Sequence, residues 1–115
     1  MKLYQILLVE DNPDDIELFK EALTDNGTPH QVHVIMDGDL VLDHLKEREN
    51  LPDLVVLDLN IPKTPGKEIL KLLKSSKLYE SIPVVILTTS RSKTDMEECY
   101  DAGAEKFITK PVNTE

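Results

Sequence analysis

The sequence predicts an open α/β fold in which helices cover both faces of a five-stranded parallel sheet. Three observations lead to this class. Short runs of β-branched and other apolar residues recur along the 115-residue chain, and stretches with helical periodicity lie between them. Three of the apolar runs are continuous, as expected for strands that are buried on both faces. Alternation of strand and helix patterns indicates parallel strands joined by helical crossovers.

The chain contains five candidate strands. They are Gln5–Val9, Gln31–Met36, Asp53–Asp58, Pro83–Thr88 and Lys106–Thr109. The first, third and fourth have continuous apolar cores. The second alternates apolar and polar residues, which is typical of a strand at the edge of a sheet.

Four helical stretches separate these strands. Their apolar stripes are Ile16, Phe19 and Leu23 between Pro13 and Asp25; Val41, Leu42 and Leu45 between Asp39 and Glu49; Ile69, Leu70 and Leu73 between Gly66 and Ser76; and the shorter Met96, Cys99 and Tyr100. Asn12 and Pro13 suit the cap and first position of a helix. We therefore interpret Asp14 and Asp15 as first-turn carboxylates that complement the helix dipole.

We interpret residues 1–115 as a single domain with the strand order 2-1-3-4-5. Right-handed crossovers then place the first helix on one face and the next three on the other. A fifth helix is expected after the last strand, but the sequence stops at Glu115, four residues past Pro111. Either this helix is truncated or something outside this sequence covers the face. If the chain ends here, we expect an exposed apolar face with self-association or low stability.

Composition excludes several classes of function. The net charge of −9 argues against a general nucleic-acid or anionic-membrane surface, because phosphate contacts need Lys and Arg. No apolar run is long enough to span a membrane, and the start lacks the apolar region of a signal peptide. The single cysteine, Cys99, fits a reducing compartment. We therefore predict a cytoplasmic protein.

Charged and hydroxyl side chains fall at the ends of four predicted strands. Glu10 and Asp11 end the first, Asp58 the third, Thr88 the fourth and Lys110 the fifth. In such sheets, ligands bind beyond the carboxyl ends of the strands, where the strand order reverses. Clustered carboxylates repel one another unless a cation compensates them, and Mg²⁺ prefers oxygen ligands. A carboxylate can also act as a nucleophile, and an ammonium and a hydroxyl can bind phosphoryl oxygens. These parts together predict Mg²⁺-dependent phosphoryl transfer onto an Asp.

At these residues the chain resembles the receiver domains of response regulators, the family of the chemotaxis response regulator. The resemblance extends from Ile6 to Val112. Its motifs are Leu8-Val9-Glu10-Asp11-Asn12, Leu57-Asp58-Leu59-Asn60-Ile61-Pro62, Val85-Ile86-Leu87-Thr88-Thr89-Ser90, Gly103-Ala104 and Phe107-Ile108-Thr109-Lys110-Pro111. It implies a flavodoxin-like sheet and a two-component phosphorelay, in which the domain switches state rather than acting as a turnover enzyme.

The resemblance also implies a role for each residue at the strand ends. Asp58 is the expected phosphoacceptor, and Thr88 and Lys110 are expected to bind the phosphoryl group. The expected Mg²⁺ ligands are Glu10, Asp11, Asp58 and the backbone carbonyl of Asn60. Thr88 and Phe107 are the expected switch residues, with Phe107 at the aromatic switch position, and the family has a cis bond before Pro111.

A narrower resemblance concerns partners. Residues 28–34, Asp37-Gly38 and the run Leu87-Thr88-Thr89-Ser90 are similar to small single-domain regulators paired with bacterial phytochromes and related sensor kinases. This implies a sensor histidine kinase or phosphotransfer protein as partner, with a phytochrome-type kinase as one candidate, and a homodimer as a second candidate assembly. The chain carries no DNA-binding segment, so its output would be a protein contact.

Three alternatives stay open on the sequence. A phosphohydrolase of the haloacid dehalogenase type would use Asp58 for turnover, but it needs a general acid two residues later, where Asn60 stands. A pseudo-receiver that binds without accepting phosphate should lack one of the five motifs, and none is missing. The chain can also be a fragment of a longer regulator or hybrid kinase, which would change its output but not its chemistry.

Overall fold

The computed structural model describes residues 3–47 and 51–110. Within them lie five strands, four α-helices and one 3-10 turn. In order these are β1 Tyr4–Val9, α1 Pro13–Asn26, β2 His30–Ile35, the 3-10 turn Gly38–Leu40, α2 Val41–Glu47, β3 Leu54–Leu57, α3 Gly66–Lys74, β4 Val84–Thr88, α4 Lys93–Asp101 and β5 Lys106–Thr109. The predicted elements are confirmed, and most of their described ends agree closely with the prediction.

All five strands are parallel, and their order is β2-β1-β3-β4-β5, as predicted. In the register, Val9 of β1 lies opposite Leu57 of β3, and Leu57 lies opposite Ile86 of β4. The central strands are continuously apolar because helices cover both of their faces. The residues that follow β1, β3 and β5 are thereby brought to one edge of the sheet.

Side chains that point to opposite faces of the sheet build two separate cores. The larger core packs against α2, α3 and α4, and includes Leu7, Val9, Val41, Leu45, Val55, Leu57, Ile69, Leu70, Leu73, Ile86 and Cys99. The smaller core packs against α1 and consists of Ile6, Leu8, Ile16 and Val56, with half-buried side chains around them. This is the predicted division of the helices. On the α1 face, a groove of about 290 Å³ is lined by Leu18, Phe19, Ala22 and Leu87 beside Asp15 and Lys110.

The start of α1 follows from a local cap. The Asn12 side-chain oxygen accepts the backbone N–H groups of Asp14 at 2.9 Å and Asp15 at 3.2 Å, and Pro13 occupies the first helical position. These bonds satisfy donors that a helix leaves unpaired at its start. The helix ends at Gly27, which adopts φ 79° and could not be replaced by another residue without strain. Among the described residues, none of the helices has the length and apolar character needed to cross a bilayer.

Candidate functional site

Backbone hydrogen bonds continue the strand pairing of the sheet up to the residues of the predicted site. The N–H of Asp58 donates to the carbonyl of Val9 at 3.1 Å, and the N–H of Glu10 donates to that of Ile35 at 2.9 Å. The N–H of Lys110 donates to the carbonyl of Thr88 at 2.7 Å. Each bond extends a pair of neighbouring strands by one residue. The backbone that carries the side chains of the site is therefore fixed by the sheet.

A glycine lets α3 begin beside Asp58. A Cβ atom on Gly66 would lie 2.2 Å from the backbone oxygen of Asp58, so no other residue fits there without movement. The N–H of Gly66 donates to the carbonyl of Leu59 at 3.0 Å. The close approach of helix and strand thus fixes the backbone that carries Asp58.

The Lys110 ammonium is the centre of the site. Its Nζ lies 2.7 Å from Oε1 of Glu10, 3.0 Å from Oδ2 of Asp58 and 2.8 Å from Oδ2 of Asp15. Glu10, Asp58 and Lys110 are each at most 6% exposed. Buried charges of this kind persist only when they are paired and hydrogen-bonded. The structure therefore brings together three residues that the sequence had placed at three different strand ends.

Three carboxylates form a group that could hold a cation. One oxygen from each of Glu10, Asp11 and Asp58 lies within 4.8 Å of the others. The backbone N–H of Asn60 donates to Oδ1 of Asp58 at 3.2 Å, which keeps Asn60 at the same edge. All donor atoms are oxygens, the ligands that Mg²⁺ and other hard divalent cations prefer. The residues present therefore fit such an ion, while the ligand role of the Asn60 carbonyl stays a prediction.

Burial and charge shift two pKa values in the site. Burial raises the pKa of Glu10, and the nearby Asp58 charge adds to this shift, while hydrogen bonds from Lys110 and Asn12 oppose it. Burial by itself would lower the pKa of Lys110, but its hydrogen bonds to Asp15, Glu10 and Asp58 outweigh burial and raise it. Lys110 therefore stays positively charged among the carboxylates.

Thr88 and Phe107 lie on neighbouring strands beside this cluster. Thr88 is fully buried at the end of β4, and its hydroxyl oxygen accepts the N–H of Ser90 at 3.3 Å. Phe107 lies opposite Ile86 in β5, and its half-buried ring packs against the larger core. Its N–H donates to the Tyr100 hydroxyl at 3.0 Å. Their places agree with the predicted positions, and their switching roles stay predictions. The predicted cis bond before Pro111 lies outside the described residues.

Sequence reasoning missed one contact of the site. Asp14 and Asp15 were both interpreted as first-turn carboxylates of α1, and their backbone N–H groups are capped as that interpretation requires. Asp14 is exposed, but the Asp15 side chain reaches Lys110. Asp15 stands four residues before Phe19 of the predicted apolar stripe. Residues four apart share a side of a helix, so this spacing indicates that Asp15 faces the sheet, but it does not indicate the partner.

A second network ties the loop after β4 to two helices. Ser90 Oγ donates to Oδ2 of Asp95 at 2.5 Å, and Lys67 Nζ lies 2.5 Å from Oδ1 of Asp95 and 2.6 Å from Oε1 of Glu98. Lys67 therefore links the start of α3 to α4. The sequence gives no indication that Ser90 is linked through Asp95 to Lys67.

The fold and this cluster define a class of protein: an open parallel α/β domain with acidic side chains and one buried lysine at its switch point. The chain belongs to the response regulator receiver domain family, whose model matches residues 6–115. It is thus a receiver domain of two-component signalling rather than a turnover enzyme, and its acidic cluster is consistent with a phosphoacceptor site.

Individual relatives agree with this family. The chain is 38% identical over 114 residues to a probable methanogenesis regulatory protein, FilR2, of Methanothrix harundinacea, covering 96% of this chain and 74% of that protein. It is 36% identical over 113 residues to response regulator Rcp1 of Synechocystis, covering 94% of this chain and 77% of Rcp1.

Solved structures of relatives have the same fold. The crystal structure of the phosphorylated cyanobacterial phytochrome response regulator RcpA has a TM-score of 0.91 and 39% identity, covering 97% of this chain and 84% of that chain. The Mn²⁺-bound form of Rcp1 has a TM-score of 0.89 and 34% identity, covering 96% of this chain and 83% of that chain. The chain is therefore similar, over nearly its whole length, to a phytochrome response regulator.

Proposed function

We propose that Asp58 accepts a phosphoryl group from the phosphohistidine of a sensor kinase or phosphotransfer protein, with Mg²⁺ bound at Glu10, Asp11 and Asp58. The observation that carries this proposal is the buried Asp58 carboxylate, held at 3.0 Å by Lys110 and grouped with two further carboxylates. A carboxylate oxygen of Asp58 attacks phosphorus, the phosphorus–nitrogen bond to histidine breaks, and the aspartyl phosphate forms.

The chain's own residues supply most of this chemistry. Lys110 stays charged and can bind a phosphoryl oxygen, and the Thr88 hydroxyl carries a proton that it can donate to another. A bound Mg²⁺ would neutralise charge between the carboxylates and the incoming group. Its expected ligands also include the Asn60 carbonyl. The phosphorylated state of RcpA and the Mn²⁺-bound state of Rcp1 support the same chemistry in this chain.

The phosphoryl group would change a protein-binding surface around β4 and β5. If Thr88 turns toward the phosphoryl group, its hydrogen bond with Ser90 is disturbed, and Ser90 is tied through Asp95 to α4. Phe107, on the adjacent strand, would then occupy the space beside Thr88. Reversing a 1:99 population takes about 5.5 kcal/mol of differential stabilisation, which the new charge-assisted contacts of the phosphoryl group would supply.

The kinase class is the finer part of the proposal. RcpA is a phytochrome response regulator, and this similarity supports a phytochrome-type sensor histidine kinase as the partner of this chain. A cytoplasmic location belongs to the same proposal.

The test is intact-mass measurement after incubation with two phosphoryl donors. Acetyl phosphate with Mg²⁺ tests the site, and a phosphorylated phytochrome-type histidine kinase, compared with an unrelated histidine kinase, tests the partner. We expect a single phosphoryl adduct that EDTA prevents, that Asp58→Asn abolishes, and that the phytochrome-type kinase delivers faster. Asp53→Asn is the matched control, since Asp53 lies at the other end of β3.

Each failure has a different meaning. No adduct on the folded chain from any donor contradicts the phosphoacceptor role and favours a pseudo-receiver. An adduct that persists in Asp58→Asn assigns the nucleophile to another residue. Equal transfer from both kinases contradicts only the phytochrome-type partner.

A further inference from the structure

Asp15 belongs to none of the five motifs of the family resemblance, yet it shares Lys110 with the two buried carboxylates. An ammonium has three N–H donors. The Lys110 ammonium donates to three carboxylates: Glu10 at 2.7 Å, Asp15 at 2.8 Å and Asp58 at 3.0 Å. The donors of the ammonium are thus fully used before any phosphoryl group arrives.

The three carboxylates that bind Lys110 differ in how a bound cation and a phosphoryl group would affect them. Glu10 and Asp58 are members of the carboxylate group that could hold a cation, and Asp15 is not a member of that group. A cation would draw on the oxygens of Glu10 and Asp58, and phosphorylation would convert one Asp58 oxygen into the bridging oxygen of an acyl phosphate. Of the three partners, only Asp15 would keep both of its oxygens available to Lys110 in the loaded site.

The surroundings of Asp15 strengthen its bond with Lys110. Asp15 projects from the first turn of α1, and its side chain is half-buried, at 27% exposed. The apolar groove lined by Leu18, Phe19, Ala22 and Leu87 opens beside the pair. Apolar walls lower the local dielectric and make a charged hydrogen bond stronger than it would be in water.

We propose that Asp15 is a positioning residue that anchors the Lys110 ammonium in the phosphorylated state, leaving its other donors to the phosphoryl oxygens. This inference rests on the proposed function of Asp58. It assigns the α1 helix a direct part in the site, because Asp15 joins Lys110 at the end of β5 to a different layer of the fold.

The experiment separates metal binding from phosphoryl binding in the full chain. Calorimetry gives the affinity for Mg²⁺ alone, and then the affinity for beryllofluoride, a phosphoryl mimic, at saturating Mg²⁺. Asp15→Asn should weaken beryllofluoride binding about tenfold, the loss expected for one hydrogen bond between charged groups. Its Mg²⁺ affinity should change no more than in Asp14→Asn, because Asp15 is not a metal ligand.

Asp14→Asn is the matched control. It removes the same charge from the same helical turn and keeps the same backbone cap on Asn12, but Asp14 is exposed. Asp15→Glu keeps the charge and should recover at least half of the lost beryllofluoride affinity. Circular dichroism confirms folding, and Asp15→Ser replaces Asp15→Asn if the latter does not fold.

The outcomes exclude one another. If Asp15→Asn binds beryllofluoride as tightly as Asp14→Asn does, Asp15 is not an anchor. If Asp15→Asn binds it more tightly than the wild type does, the proposal is also overturned, because Asp15 would then keep Lys110 away from the phosphoryl group. A loss of Mg²⁺ affinity in place of beryllofluoride affinity would make Asp15 a metal-binding group and also overturn it. If the wild-type chain binds no beryllofluoride with Mg²⁺, the proposed function itself fails.

Discussion

Lys110 and Lys67 each bind more than one carboxylate, but the surroundings of the two lysines differ. The Lys110 side chain is 7% exposed, and two of its three partners are equally buried. The Lys67 side chain is 31% exposed, and its partners Asp95 and Glu98 are 27% and 52% exposed. Hydrogen bonds to carboxylates raise the pKa of both lysines.

The difference shows which cluster can do chemistry. A buried cluster depends on each of its members, because the loss of one leaves uncompensated charge in a low dielectric. A partly exposed pair is weaker and is more strongly screened by salt. Binding of a cation or a phosphoryl group at the strand ends would therefore change the stability of the buried cluster, whereas loss of one contact in the partly exposed network around Lys67 should cost little.

The largest predicted effect is that of removing the buried lysine. Lys110→Met should lower the free energy of unfolding of the metal-free chain by about 3–5 kcal/mol, because Glu10 and Asp58 lose their counter-charge. Added Mg²⁺ should restore part of this loss by binding the folded state. Urea denaturation measures both effects.

The control for this variant is Lys106→Met on the same strand, where the lysine is exposed. Equal midpoints of urea denaturation for the two variants would mean that the stability of the buried cluster does not depend on Lys110. Lys110 would then matter no more for stability than a partly exposed lysine such as Lys67.

A smaller effect of opposite sign is predicted for a carboxylate of the candidate metal group. Asp11→Asn should stabilise the metal-free chain by about 1 kcal/mol, because it relieves repulsion from Glu10 and Asp58. The same change should remove most of the stabilisation that Mg²⁺ gives to the wild type. Thermal melts with and without Mg²⁺ measure this, with Asp14→Asn as the control. A destabilised variant that still responds to Mg²⁺ would contradict the metal role of Asp11.

The sequence predicted the fold because its signals are local and repeat. Continuous apolar runs such as Leu54–Leu57 and stripes such as Ile69, Leu70 and Leu73 specify buried strands and helix faces without knowledge of the tertiary structure. Parallel pairing then forces the residues after those strands to one edge. Glu10, Asp58 and Lys110 are predictable in this way, because backbone ladder bonds determine their places.

The contacts that the sequence did not reveal depend on long side chains crossing between layers. Asp15 was assigned to the helix start because its backbone fits that role, but the direction of its carboxylate depends on how α1 packs on the sheet. Lys67 lies in the first turn of α3, outside the apolar stripe of that helix. Its pairing with Asp95 depends on the spacing of α3 and α4, which no pattern within either helix encodes.

The smallest predicted effect is the pH dependence of the partly exposed network around Lys67. Hydrogen bonds from Lys67 and Ser90 hold the pKa of Asp95 below its ordinary value of 3.8. Such a carboxyl stabilises the folded chain above its unfolded pKa, and this stabilisation is lost as the pH falls through the folded value. The difference in unfolding free energy between wild type and Asp95→Asn should therefore be constant above about pH 5 and shrink below about pH 4. Glu97→Gln on the same helix is the control.

The buried cluster should show the opposite slope. The pKa of Glu10 is raised above 4.5, so its folded state holds a proton more tightly than the unfolded state. In metal-free buffer, its contribution to stability should fall as the pH rises from 4.5 through the folded value. Urea denaturation of Glu10→Gln beside Asp95→Asn across this range compares the two regions directly. If the stability contributions of Glu10 and Asp95 change with pH in the same direction, burial does not distinguish the two regions. Opposite slopes would confirm that two carboxylates, each paired with a lysine, respond to protons in opposite directions, because burial dominates at Glu10 and hydrogen bonds from Lys67 and Ser90 dominate at Asp95.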